Sequence, residues 1–390
     1  MPIVNRFAEL ADEITAWRRD LHNNPELLYD TVRTSAMVAG KLQEFGVDEV
    51  VTGVGKTGVV GVIKGRNGGA GKTIGLRADM DALPIEEETG KPYASQVSGK
   101  MHACGHDGHT AMLLGAAKYL AETRNFDGTA IMIFQPAEEG GAGAQAMIDD
   151  GLMTRWGIEE VYGMHNYPGL PVGEFAMRPG GIMAAADMYE IVITGRGGHA
   201  AKPQETVDPI VIGSSLVLAL QTIVSRNVDP MNQAVVSVTQ LVAGTAYNII
   251  PERVILRGTV RTLSPEVRDQ VEARMQELVP SIAKGFGGSA TLDYRRNYPV
   301  TVNDAERAGF AAEVAKAVAG EGKVDPDCVP MMAGEDFSFM LEERPGAYIF
   351  IGNGASADLH HPRYDFDDAA IPFGCSYWVK LVEKAMPIAG

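Results

Sequence analysis

Short apolar runs alternate with longer amphipathic stretches along most of this chain. Five runs rich in β-branched residues and bounded by Gly or polar residues predict buried strands at 58–63, 73–78, 129–134, 160–164 and 346–351. Between them, segments such as 107–124 repeat apolar residues at three- and four-residue spacing, which predicts helices, here with Asp107 as the N-cap. This alternation predicts an α/β domain with a mixed, mostly parallel sheet flanked by helices.

The middle of the chain follows a different order. It predicts a strand, a helix, two strands, a helix and a strand, at 187–194, 206–225, 233–242, 253–262, 265–284 and about 289–298. That β-α-β-β-α-β order is typical of a ferredoxin-like α+β domain. We therefore predict that residues 1–183 and 300–390 form one larger domain, into which residues 184–299 are inserted as a satellite domain.

Length and composition narrow the class of protein. A chain of 390 residues is long for one core, so two domains are expected. The net charge of −16 argues against nucleic acid or an anionic membrane as a partner. We predict a cytoplasmic protein, because no apolar stretch approaches the length of a membrane span, no export signal is evident, and three cysteines (Cys104, Cys328 and Cys375) cannot build a disulfide framework.

Several polar residues follow directly after predicted strands. Asp79 follows the strand that ends at residue 78, and Glu138 and Glu139 follow the one that ends at residue 134. His165 ends another strand, and His360 comes shortly after the last. Open α/β sheets bind ligands at the carboxyl ends of their strands, so we expect these side chains to meet at one site.

The segment 101–109, MHACGHDGH, concentrates possible metal ligands. Thiolate, imidazole and carboxylate groups are ligands of divalent ions such as zinc. In an extended turn Cys104 and His106 point the same way and can share a metal, His102 can join them, and His109 falls in the first helical turn. The residues alone predict a metal site without choosing its members. The alternative is a polar loop with a buried free cysteine.

The pair Glu138–Glu139 suggests a division of roles. Alone, two adjacent glutamates are usually solvated loop charges, but here Pro136 precedes them and Gly140 and Gly141 follow, so the backbone is constrained. One glutamate can bind metal while the other moves protons, which is what hydrolysis by a metal-activated water requires.

Two other histidine positions are ambiguous by this reasoning. His360 and His361 are neighbours that point in opposite directions in an extended chain, so at most one reaches the same metal. His199 lies beside a Gly turn in the middle of the chain, far in sequence from the cluster, and by itself is typical of a structural loop histidine.

Eight motifs occur in an order that is known from a family. They are RADMDALPIEE (77–87), MHACGHDGH (101–109), QPAEEGGAGA (135–144), GMHN (163–166), GRGGHAAKP (195–203), NIIPE (248–252), GEDFS (334–338) and LHHPRYDFDD (359–368). Over essentially its full length the chain resembles the amidohydrolase branch of the aminoacylase/carboxypeptidase family of dinuclear metallohydrolases. That branch includes hippurate hydrolases, N-acyl-amino-acid hydrolases, N-acetyldiaminopimelate deacetylases and plant hydrolases of auxin–amino-acid conjugates.

The resemblance implies a site with two divalent metal ions in the larger domain, with zinc, manganese, cobalt or nickel as the possible metals. Glu138 corresponds to the general base and Asp79 to the supporting acid. More distant relatives bind metal through a His two residues before that acid, where this chain has Arg77, so the ligand set must differ here. The implied ligands are Cys104, His106, Glu139, His165 and His360.

The resemblance also implies a homodimer built through the satellite domain. The family's counterpart of His199 enters the active site of the partner subunit, and Asn248 and Arg261 match polar positions near the substrate's carboxylate. The implied reaction is hydrolysis of the amide bond of a small N-acyl-amino acid. The alternatives are a dipeptidase or carboxypeptidase, an N-acetyl-specific deacetylase, and a non-catalytic metal-binding scaffold. The scaffold would have no need of Glu138.

Overall fold

The computed structural model describes residues 4–388. Its helices are α1 (Arg6–Asn23), α2 (Val32–Glu44), α3 (His106–Thr123), α4 (Gly143–Asp149), α5 (Leu152–Arg155), α6 (Pro209–Thr222), α7 (Pro265–Gly285), α8 (Ala305–Ala319), α9 (Phe337–Glu343) and α10 (Ile371–Ala385). Its strands are β1 (Glu49–Val54), β2 (Gly58–Lys64), β3 (Thr73–Asp79), β4 (Thr129–Gln135), β5 (Glu160–Tyr167), β6 (Phe175–Ala176), β7 (Gly180–Met183), β8 (Ala185–Thr194), β9 (Gly198–His199), β10 (Ala234–Ala243), β11 (Ile249–Ile250), β12 (Arg253–Thr262), β13 (Ser289–Tyr298), β14 (Thr301–Asn303), β15 (Val324–Asp325) and β16 (Gly346–Gly352).

The chain divides into two compact units. Within the described residues, unit 1 comprises 4–180, 302–329 and 336–388, and unit 2 comprises 181–301 and 330–335. Residues 330–335 thus cluster with unit 2, although the sequence analysis placed them in the larger domain.

Unit 1 is built on an eight-stranded sheet in the order β1-β2-β4-β3-β5-β16-β6-β15. Its centre, β4-β3-β5-β16, is parallel, whereas β1 and β2 form an antiparallel edge. Strands β3, β4 and β5 are buried along nearly their whole length, as expected for strands covered by helices on both faces. The predicted mixed, mostly parallel α/β fold is confirmed.

Helix α3 carries part of the site and is itself buried on almost every side. Helices α1 and α10 both pack against it. Gly115 makes this approach possible, because a Cβ there would lie 2.7 Å from both Ile14 Cδ1 and Cys375 Sγ. Overpacking of this kind costs about 1–3 kcal/mol. The middle of α3 is therefore packed closely against α1 and α10.

The start of α3 differs from the prediction. The helix begins at His106, and its N-cap is Gly105 in the left-handed region at φ +86°. A Cβ at Gly105 would collide with the side chains of Asn166 and Tyr364. Asp107 lies inside the first turn, where its carboxylate is 2.8 Å from Nδ1 of the buried His22. The prediction of Asp107 as the N-cap is therefore wrong.

Unit 2 is a four-stranded antiparallel sheet in the order β10-β12-β8-β13, with α6 and α7 packed on it. Along the chain the main elements follow as β8-α6-β10-β12-α7-β13. This connectivity and strand order are those of the predicted ferredoxin-like unit. The core contains side chains from both helices and from the sheet, among them Ile191, Ile193, Leu216 and Val271.

One helix within residues 4–388 is long and apolar enough to cross a membrane, namely α6 with the turn that continues it, Pro209–Asn227. The expectation that no apolar stretch reaches this length was wrong. Length and composition do not distinguish a membrane span from a helix that packs in a protein core. Here Ile212, Leu216, Leu220 and Ile223 lie in the core of unit 2, so one face of the helix is already used in packing.

Candidate metal centre

Candidate ligands meet at the carboxyl ends of the parallel strands of unit 1. Three of the groups whose donor atoms lie within 4.8 Å of one another consist of the implied ligands and Glu138 alone. These groups are Cys104–His106–His165, Cys104–Glu139–His360 and His106–Glu138–Glu139. The structure thus brings together the five side chains that the resemblance implied as ligands, and the proposed base lies beside them.

Cys104 and His165 face each other directly. The Cys104 Sγ lies 3.4 Å from His165 Nε2. His165 Nδ1 lies 2.7 Å from the carbonyl oxygen of Asn166, which can only accept, so the ring proton is on Nδ1. The Nε2 lone pair therefore points towards the sulfur, as a metal ligand requires.

Glu139 joins this group to His106 and His360. Its Oε1 is 3.4 Å from His360 Nε2 and 3.9 Å from His106 Nε2. His360 adopts a left-handed backbone at φ 63°, and its N–H donates to Ala103 O at 2.8 Å. By contrast, the Nδ1 of His361 accepts the N–H of Arg363 at 3.0 Å. Of the two neighbouring histidines, His360 is the one that faces the cluster.

His109 has a different role from His106, because both of its ring nitrogens form hydrogen bonds. Its Nδ1 donates to Asp79 Oδ1 at 2.6 Å, and its Nε2 accepts the backbone N–H of Asn166 at 2.9 Å. With both nitrogens engaged, His109 links the ends of β3 and β5 rather than offering a lone pair. His102 lies instead beside His22, with ring centroids 6.2 Å apart, and neither of its nitrogens has a hydrogen-bond partner among the described residues.

Asp79 is fixed by a buried guanidinium. Arg77 donates to Asp79 Oδ2 at 2.8 Å, to Gln135 Oε1 at 2.8 Å and to Asp336 Oδ1 at 2.9 Å. Asp336 in turn accepts the backbone N–H of Ala144 at 2.9 Å, just past the glutamate loop. Arg77, a buried cation, therefore orients the carboxylate of Asp79.

Burial and neighbouring charges displace the pKa values of the candidate ligands. Burial opposes a charge on His106, but the carboxylates of Asp79 and Asp81 outweigh it and raise its pKa to about 10. Burial raises the pKa of the Cys104 thiol well above its usual range, and the nearby Glu139 and Glu138 raise it further. The protein alone therefore disfavours the thiolate. A divalent cation reverses this balance, because a coordinating thiol is deprotonated.

The donors fit a divalent metal ion. The Nε2 of His106 and the Oε1 of Glu139 are buried, and neither has a hydrogen-bond partner among the described residues. Buried polar atoms normally have partners, so these are explained if they bind an ion. A thiol, imidazoles and carboxylates match borderline metals such as zinc, cobalt or nickel better than calcium or magnesium.

Three predicted residues belong to unit 2. His199 is exposed on β9, and its Nδ1 accepts the N–H of Ala201 at 3.1 Å. Asn248 is exposed, and its carbonyl oxygen accepts the N–H of Ala200 at 3.0 Å, which places it next to His199. Arg261 is half-buried on β12, where it donates to Val260 O at 3.1 Å. His199 and Asn248 thus form one polar patch within unit 2.

Sequence reasoning missed two residues that organise the site. Asp81 accepts the backbone N–H groups of Glu138 and Glu139 at 2.9 and 3.1 Å. Asn166 donates from its side chain to Cys104 O at 2.6 Å. A signal for Asp81 was available, because it lies two residues after Asp79, a spacing that puts both on one side of an extended segment.

The chain is similar to known proteins over most of its length. The model of peptidase family M20/M25/M40 matches residues 75–384. A hippurate hydrolase of Campylobacter jejuni is 45% identical over 98% of this chain and 99% of its own length. An N-acetylcysteine deacetylase of Bacillus subtilis is 40% identical over 93% of this chain and 94% of its own. A solved dinuclear metal-binding peptidase of Bacillus subtilis, from family M20, superposes with a TM-score of 0.86 at 36% identity, covering 97% and 99% of the two chains.

Proposed function

This chain belongs to peptidase family M20/M25/M40, and from that premise we propose that it hydrolyses the amide bond of N-acyl-amino acids. The relatives named above act on hippurate and on N-acetylcysteine, two substrates in which an acyl group is joined to an amino acid. The observation that carries the proposal is the convergence of a thiol, three imidazoles and two adjacent glutamates at one end of the unit 1 sheet. The enzyme class is a metal-dependent amidohydrolase.

We propose Cys104, His106, Glu139, His165 and His360 as the ligands of two divalent ions. Bound there, the ions supply Lewis-acid chemistry, which polarises the acyl carbonyl and makes a water molecule acidic near neutral pH. Zinc, manganese, cobalt and nickel all suit this donor set. We also propose a cytoplasmic location, supported by the fact that all three cysteines are free and buried.

Glu138 is the proposed general base. It takes a proton from the attacking water and returns it to the amine nitrogen as the amide bond breaks, so no covalent intermediate with the chain is required. Its backbone is fixed by Asp81. Asp79, held by Arg77 and His109, is the proposed supporting acid near the metals.

A substrate panel tests the reaction class. N-acetyl-, N-benzoyl- and indoleacetyl-amino acids should be hydrolysed, and simple dipeptides should be poorer substrates in kcat/KM. Preference for dipeptides or for C-terminal residues of peptides would instead establish a peptidase. Hydrolysis of acetyl but not benzoyl compounds would narrow the enzyme to a deacetylase.

We also infer a homodimer built through unit 2. Strand β10 is at an edge of its sheet and exposes Val235, Leu241 and Val242, while α6 exposes Val211 and Leu218. Apolar side chains on an unpaired strand edge and on a nearby helix are typical of a surface that a second copy covers. In such a dimer we propose that His199 stabilises the oxyanion in the partner subunit's site, a contribution of about 3–4 kcal/mol for one donor. Asn248 and Arg261 would bind the substrate carboxylate.

Subunit mixing tests this arrangement. Glu138→Ala and His199→Ala dimers should each be nearly inactive. After exchange about half of the dimers are mixed, and each mixed dimer has one site with both residues intact, so roughly a quarter of wild-type activity should return by two-fold symmetry. Verified exchange without recovery would show that His199 does not act across the dimer.

A further inference from the structure

The loop that carries Glu138 and Glu139 has an unusual backbone. Between β4 and α4, both Ala137 and Ala142 adopt left-handed conformations, at φ 55° and 53°. Such conformations are uncommon for residues with a Cβ and cost of order 1 kcal/mol each, so contacts outside the loop must hold them in place. Asp336 supplies one such contact just past the loop, where it accepts the N–H of Ala144 at 2.9 Å.

Asp81 provides the contact at the glutamates themselves. Its side chain is only 1% exposed, and its two oxygens accept the N–H groups of Glu138 and Glu139 separately, at 2.9 and 3.1 Å. Asp81 Oδ1, the oxygen that accepts from Glu138, also lies 3.5 Å from His106 Nδ1. One carboxylate therefore contacts the proposed base, a proposed ligand on the loop and a proposed ligand on α3.

The two nitrogens of His106 face different acids. Nε2 is 3.6 Å from Asp79 Oδ2 and 3.9 Å from Glu139 Oε1, on the side of the proposed ligands. Nδ1 faces Asp81. A neutral imidazole with its proton on Nδ1 offers its lone pair at Nε2, and the partner of the protonated nitrogen fixes both the tautomer and the ring orientation.

We propose that Asp81 is a positioning residue that sets the geometry of the metal centre, by fixing the tautomer of His106 and the backbone of the two glutamates together. This inference rests on the proposed function, since it concerns the same site. A turn-stabilising acid with no further role would alter folding stability alone. Asp81 should instead alter how the ions are bound and how fast the substrate turns over.

The substitution Asp81→Asn keeps the size of the side chain but puts an NH₂ group where one acceptor oxygen was. At least one of the contacts that Asp81 makes with Glu138 N, Glu139 N and His106 Nδ1 must then be lost. We expect metal affinity, measured by competition with a chromophoric chelator, to fall about 10- to 100-fold, as for other partners of metal ligands. The absorption spectrum of the cobalt-loaded protein should shift, and kcat should fall more than KM changes.

Glu160→Gln is the matched control. Glu160 is an equally buried carboxylate of unit 1, at the amino end of β5, and its partners are Lys72, Arg307 and Tyr162. This variant should lose folding stability while its metal affinity and cobalt spectrum stay at wild-type values. A folded Asp81→Asn protein with wild-type affinity and spectrum overturns the proposal.

A measurement on the wild-type enzyme covers the case in which Asp81→Asn does not fold. In zinc-loaded protein labelled with ¹⁵N-histidine, the His106 signals, assigned by their loss in His106→Gln, should show a proton on Nδ1. A proton on Nε2 overturns the proposal. Wild-type protein that binds no metal or hydrolyses no acyl-amino acid refutes the proposed function, whereas an unaffected Asp81→Asn variant of an active, metal-binding enzyme refutes this inference alone.

Discussion

Strand β5 has a buried charged cluster near each of its ends, and the two clusters differ in how their charge is balanced. At the amino end, Glu160 lies 2.5 Å from Lys72 Nζ and 2.6 Å from Arg307 Nε, and it accepts the hydroxyl proton of Tyr162 at 2.8 Å. Two cations and a donor surround one carboxylate. The protein itself completes this cluster.

At the carboxyl end, beside His165, acids are in excess. Asp79, Asp81 and Glu138 are buried there with Glu139 close to them, against two cations, Arg77 beside Asp79 and His106, whose pKa is raised to about 10. Isolated buried carboxylates are costly unless they are paired or bind metal. The comparison therefore indicates that the balanced cluster stabilises the fold, whereas the excess of acids at the other end suits the binding of cations.

The largest expected effect is on kcat, and it distinguishes the roles of Glu138 and Glu139 at the carboxyl end of β5. Glu138→Gln should retain metal and lower kcat by about 10²- to 10⁴-fold, the usual contribution of a positioned general base. Glu139→Gln should lose metal instead, because Glu139 lies between His106 and His360. Elemental analysis beside steady-state kinetics checks both, and equal loss of metal in the two variants contradicts the assigned roles.

The next largest expected effect is on metal affinity, and it concerns the thiol of Cys104 in the same cluster. Cys104→Ser replaces a ligand by a neutral hydroxyl and should weaken metal binding by more than about 100-fold, since even indirect partners of ligands contribute 10- to 100-fold. Because burial raises the pKa of Cys104, metal binding by the wild type should release a proton that the variant does not. Proton release in weakly buffered solution measures this difference, and equal release would show that Cys104 is not a ligand.

A substitution in the cluster at the amino end of β5 should change folding stability alone. Glu160→Gln removes the carboxylate between two cations that are themselves about one-quarter to one-third exposed, Lys72 at 33% and Arg307 at 23%. We therefore expect a loss of about 1–3 kcal/mol in the free energy of unfolding, less than for a fully buried pair. Denaturant unfolding of the metal-free protein measures this. If the variant also loses metal affinity, the proposed contrast between the two ends fails.

An effect of similar size depends on pH and concerns a buried ion pair next to the metal site, His22 with Asp107. Burial opposes a charge on His22, but Asp107 outweighs it and raises the pKa of His22 to about 9, above the value of about 6.5 expected in the unfolded chain. The pair therefore stabilises the fold fully below pH about 6.5, and this contribution is lost as the pH rises through about 9.

The substitution His22→Gln tests this pH dependence. The difference in free energy of unfolding between wild type and variant, both without metal, should be larger at pH 6 than at pH 9.5 by about 1–3 kcal/mol. Chemical denaturation at the two pH values provides the measurement. A difference that is constant with pH, or larger at pH 9.5, contradicts a charged His22.

The sequence predicted the strands and the place of the site better than the identity of each contact. Apolar runs bounded by Gly predict β3, β4 and β5 because burial on both faces leaves a strong compositional signal. The chemistry then follows from a rule of topology, since Asp79, Glu138 and His165 all lie at strand ends. Neither inference needs knowledge of long-range contacts.

What the sequence could not predict depends on contacts between distant segments. The N-cap of α3 is Gly105 because Asn166 and Tyr364 leave no room for a Cβ, and those residues are 61 and 259 positions away. His109 differs from His106 only through its bonds to Asp79 and Asn166. His360 likewise faces Glu139 because of its left-handed backbone, which the sequence does not indicate.

A metal titration tests the central claim most directly. Metal-free enzyme should be nearly inactive on hippurate, and activity should return with added zinc, manganese, cobalt or nickel and reach a plateau at about two bound ions per chain, measured by elemental analysis of the same samples. Glu160→Gln should follow the same titration curve. Full activity in protein without metal would contradict the account.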